Sequence, residues 1–415
     1  MKIVMVDKYF FIKGGAERYF FELSKILEQR GHEVIPFSMK HPQNYESPWS
    51  EYFVDQIDFN PGTLAGKAVT GARSLGRIIY SLQAKRNMER LVERVKPDIA
   101  HIHMIDHQIS PSILPVFQSR GIPVVQTVHT YKPVCPSYRL YNMQKNRICE
   151  KCLDGGYYHA VTERCHKGSV GASFLVAMEM YVHKFTGLFR NNIDVYHVPS
   201  RFMGEKLKQG GIDTEKIIHQ FYTIDMDEYP PRFDNDGYFI YYGRLSAEKG
   251  IPALLQAFAA CETGRLKIVG TGPEGQRLEE ISTALGLEGR VEFTGALYGD
   301  DLKKMVSGAR FVVVPSDWYD NSPLVIYESL CMGKPVVGAD MGGIPELIEH
   351  GKDGYVFKAG DIKGLAGILQ TMLESGDISH MGRAARKKAE GLFDPEAHYQ
   401  KMMSIYASAA ERKHG

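Results

Sequence analysis

Short apolar, β-branched runs recur along this chain with an amphipathic stretch after nearly every one, and that alternation decides most of what it can fold into. In the first half the runs are KIVMVD (2–7), EVIPFS (33–38), DIAHIH (98–103), VVQTVH (124–129) and VYHVPS (195–200). In the second they are YFIYYG (238–243), LKIVG (266–270), VEFTG (291–295), FVVVPS (311–316) and PVVGA (335–339). Between them lie helical patterns such as AERYFFELSKILEQRG, where Phe20, Leu23, Ile26 and Leu27 fall on one face and Gly31 marks the stop. Strands joined through helices pair in parallel and are covered on both faces, so their sequences read apolar throughout. Two such sets predict an α/β chain of two doubly wound, Rossmann-like parallel-sheet domains. Each would present ligand sites at the carboxyl ends of its strands.

A length of 415 residues also exceeds one comfortable core. The join is expected within 199–236, where MDEYPPRFDNDG precedes the strand at 238. This gives domains of residues 1–198 and 199–394, followed by a helical segment at about 395–412 with no strand after it. The stretch FLVAMEMYVHKFTGLF (174–189) is expected to be a core helix, since it is too short and interrupted to span a bilayer.

Two segments break the rhythm. Residues 61–96 carry Lys67, Arg73, Arg77, Lys85, Arg86, Arg90, Arg94 and Lys96 against Glu89 and Glu93, a net +6. They form either a solvated helical face or, through the interleaved Leu75, Ile78, Ile79 and Leu82, a peripheral membrane contact. Residues 130–168 form an insertion bearing Cys135, Cys149, Cys152 and Cys165, spaced C-x13-C-x2-C-x12-C. A C-x2-C turn can hold two thiolates on one tetrahedral ion, so structural zinc is the favoured reading, with His159 or His166 as substitute ligands; a disulfide or unbridged thiols are the alternatives. With few aliphatic residues, such a segment is expected to need a staple.

The formal net charge of +1 gives the whole chain no field that would draw nucleic acid. The opening MKIVMVDKYF lacks the core and cleavage site of a secretory signal, and a cytoplasmic protein, or one peripheral at the inner membrane face, is expected.

The most informative stretch is DNSPLVIYE (320–328), with an acid at each end. Ser322 and Pro323 read as a helix opening, and Leu324 and Val325 as its first turn. Free N–H groups there make an anion site at the sheet's carboxyl edge. Asp320 and Glu328 beside it would repel bare phosphate but suit a phosphate ester with hydroxyl-rich groups at both ends, since a carboxylate accepts hydrogen bonds from a vicinal diol. The ligand shape is sugar–diphosphate–ribose. GRLSAEKG (243–250) adds Gly243 for a tight turn, and Arg244 and Lys249 to neutralise a departing diphosphate. GTGPEG (270–275), with Gly270 and Gly272, and GGIPE (342–346) are further loops on that edge. In KGGAER (13–18), Gly14 and Gly15 would let backbone approach a ligand. This is not a dinucleotide fingerprint, and no acid closes the next strand, so a nicotinamide cofactor is not expected.

GGAER, GRLSAEKG, VGTGPE, the acid-x7-acid element followed by SLCMGKPVV, and GGIPELI, in this order, resemble retaining glycosyltransferases of family 4 with the GT-B fold. The resemblance spans nearly the whole chain and is sharpest in its C-terminal half. It implies two domains facing across a cleft, donor on the second and acceptor on the first, with the C-terminal helix packing back on the first. It places Arg244 and Lys249 at the diphosphate, Glu328 at the ribose, Asp320 at the donor-sugar hydroxyls, and the family's first-domain histidine at His129. The usual first acid is Glu; Asp320 is one methylene shorter, which bears on the choice of donor sugar.

The implied activity is transfer of sugar from a UDP- or GDP-sugar to a glycan or lipid-linked glycan, in polysaccharide or glycoconjugate synthesis. No catalytic cofactor is expected, and no D-x-D metal motif falls at the site. A sugar-nucleotide 2-epimerase of the same fold and a non-catalytic nucleotide- or glycan-binding relative are the competitors.

Overall fold

The computed structural model describes residues 1–57 and 76–414, which gather into two units. One comprises Met1–Tyr138, Glu150–Thr223 and Pro395–Gly415, the other Arg139–Cys149 and Ile224–Asp394.

The first unit holds a six-stranded parallel sheet of β1 (Lys2–Val6), β2 (Glu33–Phe37), β3 (Ile99–Ile102), β4 (Val124–Thr127), β7 (Val195–Val198) and β8 (Ile217–His219), in the order β2-β1-β3-β4-β7-β8. The central strands β1, β3, β4 and β7 are buried almost throughout, which is why their sequences do not alternate. Pro36 sits in β2, at the sheet edge, where a missing N–H is tolerated.

The second unit holds β9 (Phe239–Tyr242), β10 (Leu266–Val269), β11 (Val291–Gly295), β12 (Val312–Val314), β13 (Val336–Ala339) and β14 (Gly354–Phe357), in the order β11-β10-β9-β12-β13-β14. A hairpin, β5 (Tyr141–Asn142) with β6 (Arg147–Ile148), also belongs to it. Strand order reverses once in each sheet, between β1 and β3 and between β9 and β12. At such switch points the connections diverge to opposite faces and leave a crevice beyond the carboxyl ends. The expected pair of doubly wound α/β sheets is present.

The division of the chain differs from expectation in two places. It falls between Thr223 and Ile224, inside the expected 199–236 join but later than residue 198, because β8 extends the first sheet beside β7. The hairpin cut from the cysteine insertion sorts with the second unit.

The helix Pro395–His414 belongs to the first unit. Its buried Met402, Ile405, Tyr406 and Ala409 cover that core. His398 Nε2 lies 3.0 Å from Tyr19 Oη, and the Tyr406 hydroxyl 2.8 Å from His101 Nδ1.

The helix Val170–Thr186 is not a core helix. Only Ser173, Val176, Ala177, Glu179, Met180 and His183 are buried, whereas Phe174 and Phe185 are 55% and 82% exposed. Those buried residues, with the Lys132–Glu179 ion pair at 2.7 Å, occupy its inner side, and Phe174 and Phe185 are left outside.

Of the basic stretch 61–96, Lys67, Arg73 and Leu75 lie outside the described residues. Several of its described charges are spent locally. Arg77 donates to the Asp55 carbonyl, Arg94 pairs with Glu51 at 2.8 Å, and Lys85 faces Glu89 at 4.0 Å. The helix Leu82–Val95 buries Met88, Leu91, Val92 and Val95 in ordinary amphipathic fashion.

Candidate active site

In the second unit the residues singled out from sequence lie on loops that leave the carboxyl ends of the strands. The backbone there is drawn so close that side chains are excluded. A Cβ on Gly270, at φ +141°, would stand 1.9 Å from the Gly243 carbonyl oxygen, and one on Gly272 2.1 Å from that of Leu245. Hydrogen bonds from Leu245 N to Thr271 O (3.0 Å) and Glu274 N to Leu245 O (3.1 Å) lace the two loops together. Gly250, at φ +67°, turns the chain into the helix Ile251–Ala259 against the Pro315 carbonyl.

Lys249 from the β9 loop meets Asp320 from the β12 loop, Nζ to Oδ2 2.6 Å, with both side chains mostly buried. Ser316 Oγ donates to the same carboxylate oxygen at 3.2 Å. The GGIPE loop holds Asp320 from behind. Gly343 N donates to the Asp320 carbonyl at 2.8 Å, and a Cβ on Gly342 (φ +62°) would come within 2.1 Å of that oxygen. Arg244 is exposed, and its guanidinium has no ion pair among the described residues.

The helix Leu324–Cys331 starts one residue later than its sequence suggests. Pro323 is the N-cap, and the Ser322 hydroxyl, instead of capping, lies 2.6 Å from the Tyr327 hydroxyl. With no side-chain cap, its first-turn N–H groups at Leu324 and Val325 are not claimed by Ser322. The β9 residue Tyr242 fixes the helix by donating to the Val325 carbonyl at 2.7 Å. Glu328, 7% exposed, sits in the second turn.

Three further polar groups stand here. Ser246 Oγ, Glu248 Oε2 and Trp318 Nε1 are buried with no hydrogen-bond partner among the described residues. Glu248 and Trp318 adjoin Lys249: the Glu248 carbonyl accepts from Asp317 N at 2.9 Å, and Lys249 Nζ lies 5.3 Å from the Trp318 ring. Unsatisfied buried polar atoms are rare, and their gathering at a switch point marks a place for a polar ligand. Burial, with the neighbouring Asp317 and Glu248, pushes the hydroxyl of the hairpin residue Tyr141 up to about 12. Glu248 was legible in GRLSAEKG; nothing in the sequence marked Tyr141.

In the first unit His129 follows β4, its Nε2 2.9 Å from His103 Nδ1 and its Nδ1 2.7 Å from the Tyr222 hydroxyl. Burial, then the charge of His197, lowers it to about 3, so the ring is neutral. The same rule extends through a layer of rings. His101 Nε2 and His197 Nδ1 share Thr127 Oγ1 at 2.7 and 2.8 Å, and burial brings His197 to about 4 and His398 to about 3.

Gly14 precedes the helix Gly15–Gln29 in extended backbone, φ −167°, with room for a Cβ, so local geometry does not demand glycine there. Beside it stand two buried carboxyls, Asp7 at the end of β1 and Glu17. Burial, then the Glu17 charge, holds Asp7 well above the usual carboxylate range, and burial raises Glu17. Asp7 closes the first strand run and could have been noticed there.

The cysteines do not meet the zinc expectation. Among the described residues no group of three or more His, Cys, Asp or Glu is placed to hold a metal. Cys152 packs with Tyr157, Ala160, Ala177 and Met180, with Cys165 against the same cluster, so this part of the insertion has a small core of its own. Cys135 Sγ lies 3.3 Å from Ser137 Oγ, and Cys149 sorts with the second unit.

Comparison with known proteins agrees with the geometry. The model of Glycosyltransferase Family 4 matches residues 13–219, and that of Glycosyl transferases group 1 matches residues 225–389. Alpha-D-kanosaminyltransferase of Streptomyces kanamyceticus is 32% identical over 326 residues, which cover 77% of this chain and 78% of that one. Sulfoquinovosyl transferase SQD2 of Arabidopsis thaliana is 25% identical over 84% of this chain, which spans 65% of that relative's length. Among solved structures, Anabaena Alr3699/HepE in complex with UDP and glucose aligns with a TM-score of 0.66 at 19% identity, covering 98% of this chain and 100% of that one. The fold is that of the GT-B glycosyltransferases. The chain belongs to glycosyltransferase family 4.

Proposed function

We propose that the protein moves a sugar from a nucleotide-diphosphate sugar to a glycan or lipid-linked glycan acceptor, with retention at the anomeric carbon. The observation that carries the donor reading is the Lys249–Asp320 pair, set beside unpartnered Ser246 Oγ, Glu248 Oε2 and Trp318 Nε1 at the carboxyl edge of β9 and β12. On this reading Lys249 and Arg244 carry the diphosphate charge as the glycosidic bond breaks. The first turn at Pro323, Leu324 and Val325 adds N–H donors, and the loops at Gly243, Gly270 and Gly272 let backbone close on the ligand. Asp320 receives hydroxyls of the donor sugar and Glu328 those of the ribose. The neutral His129 is not a cation on this reading, and it meets the ligand by exchanging one of its two partners, His103 or Tyr222. The leaving phosphate takes the acceptor's proton on the face it departs from, through an oxocarbenium-like transition state. The retaining outcome and the UDP or GDP donor rest on the family resemblance; HepE is a structural neighbour solved with UDP and glucose. Participation in polysaccharide or glycolipid synthesis rests on relatives such as the putative colanic acid glycosyltransferase WcaL of Escherichia coli.

Thermal melting against nucleotides and nucleotide sugars tests the donor site. A ligand at about 100 times its Kd adds roughly 2.7 kcal/mol and raises the transition. A shift with one base, lost in Glu328→Ala, supports the assignment; no shift with any nucleotide refutes it. The anomeric configuration of the product, read by NMR, then tests retention.

A second reading, epimerisation of the sugar nucleotide, gains one observation. Asp7 and Glu17 are carboxyls with raised proton affinity at the β1–β3 switch point, suited to moving a proton. Incubation with donor alone in deuterium oxide separates the two, since epimerisation through a carbanion incorporates deuterium and transfer does not.

A further inference from the structure

The helix Val170–Thr186 inverts the usual pattern of a surface helix. Its only acid, Glu179, is 2% exposed and paired inward with Lys132, while its outer face carries Val170, Phe174 and Phe185 at 49%, 55% and 82% exposure. Tyr181, half-buried against the Cys152–Tyr157 cluster, borders them: its ring is near-parallel to that of Phe185 at 6.0 Å, and its hydroxyl accepts from the backbone N–H of Tyr158, itself 56% exposed. An amphipathic helix on a core in water puts such rings inside and charges outside. An exposed aromatic patch of this extent marks an interaction surface.

The charges around the patch say what covers it. Arg164 and Lys167 precede the helix, Lys184 lies on it and Arg190 follows it, all exposed and none in an ion pair among the described residues. Against these four cations stand two exposed carboxylates that line the same cavity as Lys184 and Arg190: Asp154, whose Oδ1 already accepts from Gly156 N, and Asp213, whose Oδ1 accepts from Glu215 N. A second copy of the chain docked by twofold symmetry would set the same cations against one another. An anionic lipid surface complements them, and tyrosine and phenylalanine rings suit the boundary between headgroups and acyl chains. No described helix is long and apolar enough to cross a membrane, and the inward Glu179–Lys132 pair keeps this one in the plane of the surface.

We propose that the outer face of Val170–Thr186 is the surface by which this protein lies on an anionic membrane. The inference stands on this helix and does not depend on the glycosyl-transfer reading.

The test is co-sedimentation of the full chain with vesicles of phosphatidylcholine alone, or mixed with phosphatidylglycerol, without nucleotide or acceptor. The mixed vesicles should bind the protein and lose it in high salt. Phe174→Ser with Phe185→Ser, and separately Lys184→Glu with Arg190→Glu, should each weaken partition by roughly tenfold or more. All four positions are exposed, and an unchanged melting temperature certifies the fold of each variant. Failure of the wild type to bind the mixed vesicles overturns the proposal, as does undiminished binding by the phenylalanine variant. A concentration-dependent dimer in light scattering, abolished by the same variant, would assign the face to a second copy instead and equally overturn it.

Discussion

Lowering the pH from 8 to 5 should unfold the first unit well before any carboxylate chemistry explains it. Five buried rings, His101, His103, His129, His197 and His398, have proton affinities pushed below the ordinary histidine value, chiefly by burial. The folded unit therefore keeps them neutral while the unfolded chain takes up protons below about pH 6.5. Stability is full above that pH and is lost as pH falls toward the folded values, about 3 for His129 and His398 and about 4 for His197. Between pH 6.5 and 5 His129, His197 and His398 each cost about 2 kcal/mol, and His101 and His103 act in the same direction. Asp7 and Glu17, shifted upward by burial, act in the opposite sense and offset part of this. The three rings His129, His197 and His398 together amount to about 6 kcal/mol before that offset, comparable to the whole margin of a typical domain. The chain has two tryptophans, Trp49 in the first unit and Trp318 in the second, so Trp318→Phe leaves a fluorophore that reports the first unit alone. Urea titrations of this variant at pH 8, 6.5, 5.5 and 5 should show the Trp49 midpoint falling steeply below 6.5. A midpoint at pH 5 equal to that at pH 8 would refute the reasoning, because rings that ionise freely in the folded unit give no such slope.

Other outcomes follow from single contacts. Lys249→Met removes the cation that faces Asp320 and should lower turnover by roughly 100-fold or more in initial-rate assays; near-normal rates would remove Lys249 from the mechanism. Gly342→Ala forces a Cβ against the Asp320 carbonyl in left-handed backbone. It should cost about 1–3 kcal/mol in denaturant unfolding and weaken nucleotide binding, and an unchanged melting temperature would contradict it. Tyr406→Phe strips the hydroxyl partner from buried His101 Nδ1 and should cost about 1–3 kcal/mol, read by the same Trp49 fluorescence. Ending the chain after Asp394 removes the buried face of the last helix and should leave the first unit largely unfolded by circular dichroism, with the second still melting cooperatively.

Much of the fold was legible because its signals are local. The apolar runs became strands within a residue or two at each end, and the turn glycines of GRLSAEKG and GTGPEG lie where backbone meets backbone. The short edge strands β8 and β14 were not readable, since half-exposed runs of three or four residues resemble loops. FLVAMEMYVHKFTGLF was misread for a related reason. Apolar content distinguishes a buried helix from a loop but cannot tell a core face from an exposed one, and only the pairing of Glu179 with Lys132 shows which side is inside. The cysteine spacing does not by itself assemble a metal site, because C-x2-C describes what a turn can hold, while Cys152 packs with Tyr157 and Met180 in a small apolar cluster.

At the candidate site, Lys249, Asp320 and Glu328 could be picked out in the sequence because a strand-to-helix loop confines chemistry to a few consecutive residues. That Lys249 closes on Asp320 across two loops, that Glu248, Ser246 and Trp318 are left unpartnered beside them, and that the 139–149 hairpin joins the second unit depend on chain paths that no local pattern records. The histidine layer shows the division most plainly. His101, Thr127, His197 and Tyr406 come from three strands and the last helix, up to 305 residues apart, and become one hydrogen-bonded chain only when the sheet sets β3, β4 and β7 side by side. Periodicity and turn chemistry act between near neighbours, so the sequence alone determined the elements and the loops that bear the chemistry. Burial and charge depend on what distant segments bring, so only the tertiary structure decided which side chains are neutral, paired or left open to a ligand.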